Sequence, residues 1–538
     1  MTPDGSKVLA VNTGNNTLEV FEVQDDILLN VASIPVGVDP VSVRARTNTE
    51  AWVVNTISSE ISIVDLTLGA TVRSLDTEDE PYDVVFAAGT PGAPTKAFVS
   101  CGHRESIQVF DLANLDATPA EVLLVGEQPR AMAVSPDGQT VYTAFFESGN
   151  QTTVVPGNVF LHNRICSEQS GGSGSQNGAC TSVPNDVVDP DGPYGGAVPI
   201  PNNGASFSPP LNPSLAPVGS QSLVVKKNAQ GDWVDDNGGN WTNIVSGGAG
   251  NNRAAGWDLS DHDVAVLDAN SLSLSYQDHL GNILMAMAVN PVDGRVSVVG
   301  TDATNHIRFE PNLNGRFLRV NISQFNPGGP NAITDLNPHL DYLTPSVAPA
   351  LRTQSLGDPR GIAWKSDGSK AYVTGMGSNN VITIDANGAR LGGSPIKVGE
   401  GPTGIVLDEA RGRAYILNKF EGSISTIDLG DDKEVARANF FDPTPMAIKA
   451  GRVHLYNTHL GSGTGHISCA SCHVDGKWDR LAWDLGDPTG EMDTVPGQFG
   501  DVVFHPLKGL KTTQSLVDII NRGTGNLHWR GDKGGLID

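Results

Sequence analysis

The sequence has no long apolar run and little positive charge. None of its 538 residues lies in a stretch approaching the ~20 apolar residues of a membrane-spanning helix, so we expect no membrane span. Lys and Arg number 35 against 60 Asp and Glu, which gives a formal net charge of −25 and leaves no basic face for nucleic acid. That charge favours solubility, and it would also steer a basic partner protein towards the chain.

Other common signals are missing as well. The opening residues, 1–7, are polar and do not form an export signal. The sequence contains no phosphate-binding loop and no recognisable pairing of a nucleophile with a base. Any reaction chemistry must therefore come from the cysteine and histidine residues near the end of the chain.

Cysteine is scarce, with 5 residues in the chain, and two of them belong to one short motif. The sequence Cys-Ala-Ser-Cys-His at residues 469–473 has the spacing of a covalent attachment site for c-type haem. Cys469 and Cys472 would form thioethers with the haem, and His473 would be the proximal ligand of its iron. A redox dithiol would require a βαβ setting, and a zinc site would require a second Cys/His pair nearby. Neither is evident, and we predict one covalent haem c.

The remaining cysteines, Cys101, Cys166 and Cys180, lie far upstream of this motif. Cys166 and Cys180 flank a loop rich in Gly, Ser and Asn, and we predict a disulfide between them, with two free thiols as the alternative. A disulfide and an attached haem both belong to an oxidising compartment. We therefore expect a periplasmic or extracellular protein whose export signal is not part of this sequence.

The second axial ligand decides what such a haem does. A Met or His ligand makes an electron carrier, whereas an open position permits reactions with peroxide. Met492 follows His473 in a loop and is one candidate. The other candidates are histidines of the same region: His454, His459, His466, His505 and His528.

Residues 1–450 repeat a β pattern. One copy covers residues 357–385 and the next covers residues 401–428, each with short alternating strands joined by Gly-containing turns. Prolines open the copies: Pro40, Pro81, Pro129, Pro359, Pro402 and Pro445. Their spacing is 41 and 48 residues in the first group and 43 in the second. A period in the low forties with about four strands per copy is typical of a β-propeller.

We predict a mainly β fold with seven blades, six and eight being the alternatives. The expected blades are residues 1–34, 35–75, 76–124, 125–275, 280–350, 355–398 and 399–440. The chain begins in the middle of the first blade, whose inner strand is missing from its expected place. Residues 445–450 are predicted to supply that strand and close the ring. The alternative is truncation of an upstream blade.

Residues 163–250 interrupt the fourth blade with a stretch rich in Pro, Gly, Asn and Ser that is too long for an ordinary loop. Its acidic segment, residues 232–238, suggests calcium, but Val234 occupies a ligand position of the helix-loop-helix calcium pattern. We therefore predict a turn capped by its own carboxylates and regard calcium as unsupported by the spacing. We predict that the polar residues 257–263 form a hydrogen-bond network at a blade edge, and a ligand site is the second interpretation.

The composition changes after residue 450. Six of the 12 histidines and three of the 8 tryptophans lie between residues 454 and 529. Residues 511–520 are predicted to form a helix that begins at a Thr/Ser cap. We expect a small α-helical cytochrome c-like domain over residues 451–538, following the propeller of residues 1–450 and incomplete at its C-terminus.

Two parts of the sequence resemble known families. The Asn12-Thr13 dipeptide and the Tyr-Val-Thr sequence at residues 372–374 resemble the YVTN propeller repeats. Residues 466–532, including the haem motif and Leu-His-Trp-Arg-Gly-Asp at residues 527–532, resemble the haem domain of bacterial YVTN-propeller/cytochrome c fusions. That domain is related to the di-haem cytochrome c peroxidase and MauG group. The resemblance implies that His528 faces the haem, as distal ligand or in contact with it.

One departure from that group limits what the resemblance implies. The di-haem proteins have a second Cys-x-x-Cys-His motif, and this chain has one. We therefore favour an electron-transfer protein with the propeller as a docking platform for a redox partner. The alternatives are part of a peroxidase-like oxidoreductase whose second haem segment is absent, and a surface or adhesion propeller with an accessory haem. Whether the chain is an enzyme stays open at this point.

Overall fold

A computed structural model of the chain describes residues 1–24, 27–155, 193–195, 212, 214, 222–245, 261–495, 500–517 and 519. Seven antiparallel β meanders, which we call blades, follow one another along residues 7–439, and the fourth and fifth are joined in one sheet by a bridge between Glu147 and Ile283. Blade 1 contains β1 (Lys7–Asn12), β2 (Thr17–Gln24) and β3 (Ile27–Pro35). Blade 2 contains β4 (Pro40–Ala45), β5 (Glu50–Asn55), β6 (Glu60–Asp65) and β7 (Ala70–Asp76). Blade 3 contains β8 (Pro81–Thr90), β9 (Ala93–Cys101), β10 (Ser106–Asp111) and β11 (Ala120–Leu123).

The fourth blade is interrupted, as the sequence predicts. It contains β12 (Glu127–Val134) and β13 (Thr140–Glu147). A small side sheet of β14 (Thr152–Val155), β15 (Leu223–Lys227) and β16 (Trp233–Val234) comes next, with the helical turn α1 (Thr242–Val245). Blade 4 then resumes with β17 (Val264–Asp268) and β18 (Leu274–Gln277).

The last three blades are regular four-stranded meanders. Blade 5 contains β19 (Ile283–Val289), β20 (Val296–Ala303), β21 (Leu318–Phe325) and β22 (Ala332–Asp335), with α2 (Glu310–Leu313) inserted and α3 (Pro349–Arg352) following. Blade 6 contains β23 (Pro359–Trp364), β24 (Lys370–Gly375), β25 (Asn380–Asp385) and β26 (Ile396–Lys397). Blade 7 contains β27 (Pro402–Asp408), β28 (Arg413–Asn418), β29 (Ser423–Asp428) and β30 (Lys433–Asn439).

Apolar side chains fill the space between neighbouring sheets all the way round a ring. Leu18 and Val53 belong to the core that blades 1 and 2 share. Blade 7 closes on blade 1 through a core that includes Phe21, Tyr415 and Ile424. Burial of such side chains stabilises the fold by about 1.5–3 kcal/mol each. This ring of packed β meanders confirms the predicted mainly β, propeller-like architecture.

Ring closure differs from the prediction. Blade 1 has three strands among the described residues, and residues 445–450 do not supply a fourth. Pro445 instead precedes α4 (Met446–Tyr456), and the side chains after it, Met-Ala-Ile-Lys-Ala, are mostly good helix formers. The predicted closing strand is therefore wrong, and the contact between blades 7 and 1 is made by packed side chains.

A shared irregularity marks the start of five blades. The register of the first two strands shifts just after Pro40, Pro81, Pro129, Pro359 and Pro402. The residue before each of these prolines has a positive φ, between 52° and 69°. A β-bulge re-aims the side chain next to it, and here a bulge lies at the start of the first strand of each of these blades.

The segment after the propeller contains less helix than expected. It begins with α4 and α5 (Thr458–Gly461) and ends with β31 (Ala482–Gly486), β32 (Asp493–Val495), β33 (Val502–Phe504) and β34 (Leu507–Thr512). The predicted helix over residues 511–520 is wrong, because residues 511 and 512 end β34 and pair with β31. Between residues 462 and 517 the described chain contains no α-helix, so the expected small α-helical domain is not present in this part. None of the described helices is long and apolar enough to cross a membrane.

Candidate haem-attachment site

Residues 446–486 run across one face of the propeller. The Thr458 N–H donates to the Gly377 carbonyl of blade 6 at 2.9 Å, and His466 Nε2 lies 2.9 Å from the Leu318 carbonyl of blade 5. Further along, Arg480 forms an ion pair with Glu127 of blade 4 at 2.7 Å. The predicted haem motif is therefore in direct contact with the propeller. The division at residue 450 into two domains stays a prediction.

The motif itself forms one tight turn. Cys469–Ser471 is a 3₁₀ turn, and the His473 N–H donates to the Cys469 carbonyl at 2.9 Å. The Ser468 N–H donates to Ser471 Oγ at 3.0 Å, which holds the start of the turn. Cys469, Cys472 and His473 therefore lie within a single turn. A c-type haem needs two thiols and an imidazole at this spacing.

The imidazole of His473 is oriented for metal binding. Its Nδ1 lies 2.7 Å from the Gln514 carbonyl oxygen. A carbonyl oxygen can only accept, so Nδ1 is the donor of this hydrogen bond, and in the neutral tautomer that the bond favours the lone pair is on Nε2. Metal-ligating histidines commonly donate their other N–H to such an acceptor, which fixes ring orientation and raises ligand basicity. Gln514 follows β34, so the pairing of β34 with β31 brings this carbonyl to the motif.

The two thiols differ in their surroundings. Cys469 is exposed, whereas Cys472 is half-buried and packs against Ala303, Leu481 and Trp483. Burial raises the pKa of the Cys472 thiol, and the nearby Asp479 carboxyl adds to the rise. The described surroundings of the motif are thus apolar on the Cys472 side and open to solvent on the Cys469 side.

Asp479 is a buried carboxyl beside the motif. It accepts hydrogen bonds from the Leu481 N–H at 3.0 Å and from Trp483 Nε1 at 3.2 Å. Burial nevertheless raises the pKa of Asp479 to about 6. The hydrogen bonds place Asp479 between the motif and β31.

Ion pairs connect the loop after the motif to residues at the start of several blades. Asp475 lies 3.0 Å from Arg130 of blade 4 and 3.2 Å from Arg360 of blade 6. Lys477 lies 3.7 Å from Glu80 of blade 3. We call residues 474–480 the axial loop, because its ion pairs reach blades on several sides of the ring.

The structure describes the surroundings of most predicted distal ligands. His466 is fully buried with Nε2 2.9 Å from the Leu318 carbonyl, and His459 Nε2 lies 3.0 Å from the Ser355 carbonyl, so in each ring Nδ1 is the nitrogen that could face an iron. His505 accepts from the Leu507 N–H through Nδ1. His454 is exposed on α4, and the side chain of Met492 is 39% exposed before β32. His528, the residue favoured by the resemblance, lies outside the described residues.

The other predicted sites have mixed outcomes. Cys166 and Cys180 lie outside the described residues, so their predicted disulfide stays a prediction. In the insertion, Asp235 accepts from the Asn237 and Gly239 N–H groups at 2.9 and 2.8 Å, as predicted for a self-capped turn. Within the described parts of the chain, no three His, Cys, Asp or Glu side chains converge as metal ligands.

The polar segment at residues 257–263 is described from Asp261 onwards. His262 Nδ1 lies 2.8 Å from Asp278, and His279 Nδ1 lies 2.5 Å from Asp261. His262 also stacks on Tyr276, with ring centroids 4.2 Å apart. These contacts confirm a hydrogen-bond network at a blade edge for the described part of the segment.

Sequence reasoning missed Arg130 and Arg360. Each follows a blade-opening proline, in the sequences Gln-Pro-Arg at residues 128–130 and Asp-Pro-Arg at residues 358–360. The equivalent positions in blades 2, 3 and 7 are Val41, Tyr82 and Thr403. The repeated Pro-Arg pair was therefore visible in the sequence, whereas its contact with residue 475 was not.

These observations define a propeller-like β fold that carries a Cys-x-x-Cys-His turn on one face. No family model matches the chain, and no curated protein matches it. Among solved structures, it is similar to hydrazine synthase of Kuenenia stuttgartiensis, with 15% identity, a TM-score of 0.48, and coverage of 80% of this chain and 94% of that one.

The match to a functionally unknown protein from Desulfotomaculum acetoxidans has 12% identity and a TM-score of 0.41, and it covers 80% of this chain and 95% of that one. A putative 6-phosphogluconolactonase from Bacteroides uniformis has 12% identity and a TM-score of 0.36, over 74% of this chain and 84% of its own. Similarities at this level carry no argument about function, so the function must be argued from the site.

Proposed function

We propose that this chain is an exported c-type haem protein that transfers electrons, with the propeller as the docking platform. The observation that carries the proposal is the state of His473. Its Nδ1 proton is committed to the Gln514 carbonyl, and its Nε2 is left as a ligand atom next to two cysteines at thioether spacing. The bound haem would supply the one-electron chemistry.

The chain's own residues would hold and surround that haem. Cys469 and Cys472 would fix it covalently, and His473 would orient the iron. The apolar side chains around Cys472 exclude water on one side, and burial of this kind is one of the factors that set a haem potential. The exposed position of Cys469 leaves the other side open to a partner protein.

Charge and compartment support the same proposal. A net charge of −25 favours association with a basic redox partner, because complementary fields accelerate diffusional encounter. Attached haem requires export, so we place the protein in the periplasm or outside the cell. The resemblance to YVTN-propeller/cytochrome c fusions agrees with this assignment, and His528 or Met492 is proposed as the distal ligand.

Replacement of both motif cysteines tests the attachment site. The double variant Cys469→Ala/Cys472→Ala should lose all covalent haem, because no other thiol lies at the required spacing beside a histidine. Haem content is measured after acid–acetone extraction and by the mass of the denatured chain. Cys101→Ala is the matched control, since Cys101 is buried in blade 3 and burial raises its pKa to about 12. Extraction-resistant haem in the double variant would overturn the assignment.

A further inference from the structure

The axial loop is anchored at an aspartate with an unusual backbone. Asp475 has φ 53°, in the left-handed region that non-glycine residues seldom adopt, and Gly476 continues it with φ 76°. Such a conformation persists when the surroundings determine it. The Asp475 carboxylate is held by Arg130 Nη1 at 3.0 Å through one oxygen and by Arg360 Nη2 at 3.2 Å through the other. The two guanidinium groups therefore grip the carboxylate from two blades.

Both arginines are built into the propeller. Their side chains are each 9% exposed, and Arg130 lies over the ring of Phe146 at 3.7 Å and that of Tyr82 at 4.8 Å. Arg360 also pairs with the buried Asp358 at 2.8 Å. Each arginine lies within the bulge that follows the opening proline of its blade.

Opposite charges stabilise the contact between the Asp475 carboxylate and the two guanidinium groups. Removal of Asp475 would take an ion-pair partner from both guanidinium groups, although Arg360 would keep its pair with Asp358.

Only one residue separates this anchor from the predicted iron ligand. Val474, which follows His473, is buried against Phe146, Ile283 and Met285. The Gly476 N–H donates to the His473 carbonyl at 2.9 Å, so the backbone of the ligand and that of the anchor belong to one turn. A shift of Asp475 would therefore shift His473.

We propose that Arg130 and Arg360 are positioning residues for the haem iron, acting through Asp475. This inference rests on the proposed function. The propeller would then do more than present a docking surface, because two of its blades set the position of the proximal histidine. A movement between blades 4 and 6 would change the ligand geometry and with it the haem potential.

Charge-conserving variants test the proposal. Arg130→Lys and Arg360→Lys keep the positive charge but lose the forked guanidinium that matches a carboxylate. We expect each variant to change the ratio of reduced to oxidised haem by about tenfold at a fixed ambient potential, or about 59 mV for a one-electron couple. The matched control is Arg46→Lys, since Arg46 grips Glu50 through two bonds of 2.6 and 2.8 Å in blade 2. A potential equal to that of Arg46→Lys in both variants would overturn the proposal.

A second readout does not depend on haem. In the variant that lacks both motif cysteines, Cys469→Ala/Cys472→Ala, trypsin cleavage after Lys477 reports opening of the axial loop. Adding Arg130→Lys and Arg360→Lys should accelerate that cleavage several-fold, and adding Arg46→Lys should not. An unchanged rate would disprove the anchor itself. Absence of haem from the unsubstituted protein would instead overturn the proposed function, and the cleavage experiment separates the two failures.

Discussion

Burial changes the pKa of the Asp484 carboxyl. It lies on β31 with 4% of its surface exposed, near the buried Arg308. Burial raises the pKa of Asp484 to about 7, and Arg308 opposes this only in part. The folded state therefore holds a proton at pH values where the unfolded chain has lost it.

The sign of this linkage gives a prediction at the residue scale. Between the ordinary pKa of 3.8 and the folded value of about 7, the folded state binds more protons, so stability falls as pH rises. The slope is at most about 1.4 kcal/mol per pH unit for one group. Asp484→Asn, which mimics the neutral acid, should lose less stability than the unsubstituted chain between pH 4.5 and 7.5, as measured by urea unfolding. The control is Glu491→Gln at an exposed position, and parallel curves for Asp484→Asn and the unsubstituted chain would contradict the prediction.

At the same scale, the sequence predicted some site residues and missed others for a clear reason. Cys469, Cys472 and His473 are adjacent in the chain, so their spacing alone specifies them. Arg130 and Arg360 reach Asp475 across 345 and 115 positions. A contact over that distance depends on the closure of the ring, which no local pattern contains.

At the scale of the strand, the close approach of β19 and β20 in blade 5 limits what can replace one glycine. A Cβ at Gly300 would collide with the Ile283 carbonyl, beside the bulge between Leu284 and Ala286. Gly300→Ala should therefore destabilise the protein by about 1–3 kcal/mol, because the backbone atom cannot move aside. Gly392 is the matched control, since an added Cβ there meets nothing within 4 Å.

Urea midpoints of the two glycine variants measure this difference. Gly392→Ala should stay within about 0.5 kcal/mol of the unsubstituted chain, as expected for an open surface position. Equal destabilisation by Gly300→Ala and Gly392→Ala would show that the two strands do not approach as closely as the structure has them.

The elements themselves show where local patterns suffice. Alternating strands and Gly-containing turns repeat seven times, and the sheets follow them. The predicted structures of residues 445–450 and 511–520 are wrong. The first segment consists mostly of good helix formers and begins helix α4, although β1 is an edge strand of its sheet. The second segment begins within β34, which pairs with residues 482–486, so tertiary pairing overrides intrinsic propensity there.

For the whole molecule, we infer that the propeller and the haem motif act together. The motif lies on the propeller face, and ion pairs with blades 3, 4 and 6 hold the axial loop there. The central claim is that this assembly carries one covalent haem with two axial ligands and passes electrons without transforming a substrate.

Optical spectra of the purified protein, before and after reduction, test that claim most directly. We predict a six-coordinate, low-spin iron that stays low-spin on reduction and does not respond to added peroxide or cyanide. A protein-derived Met or His at the sixth position would produce this result. A high-spin signal, or formation of a new species with peroxide, would contradict the account and assign the chain to haem catalysis.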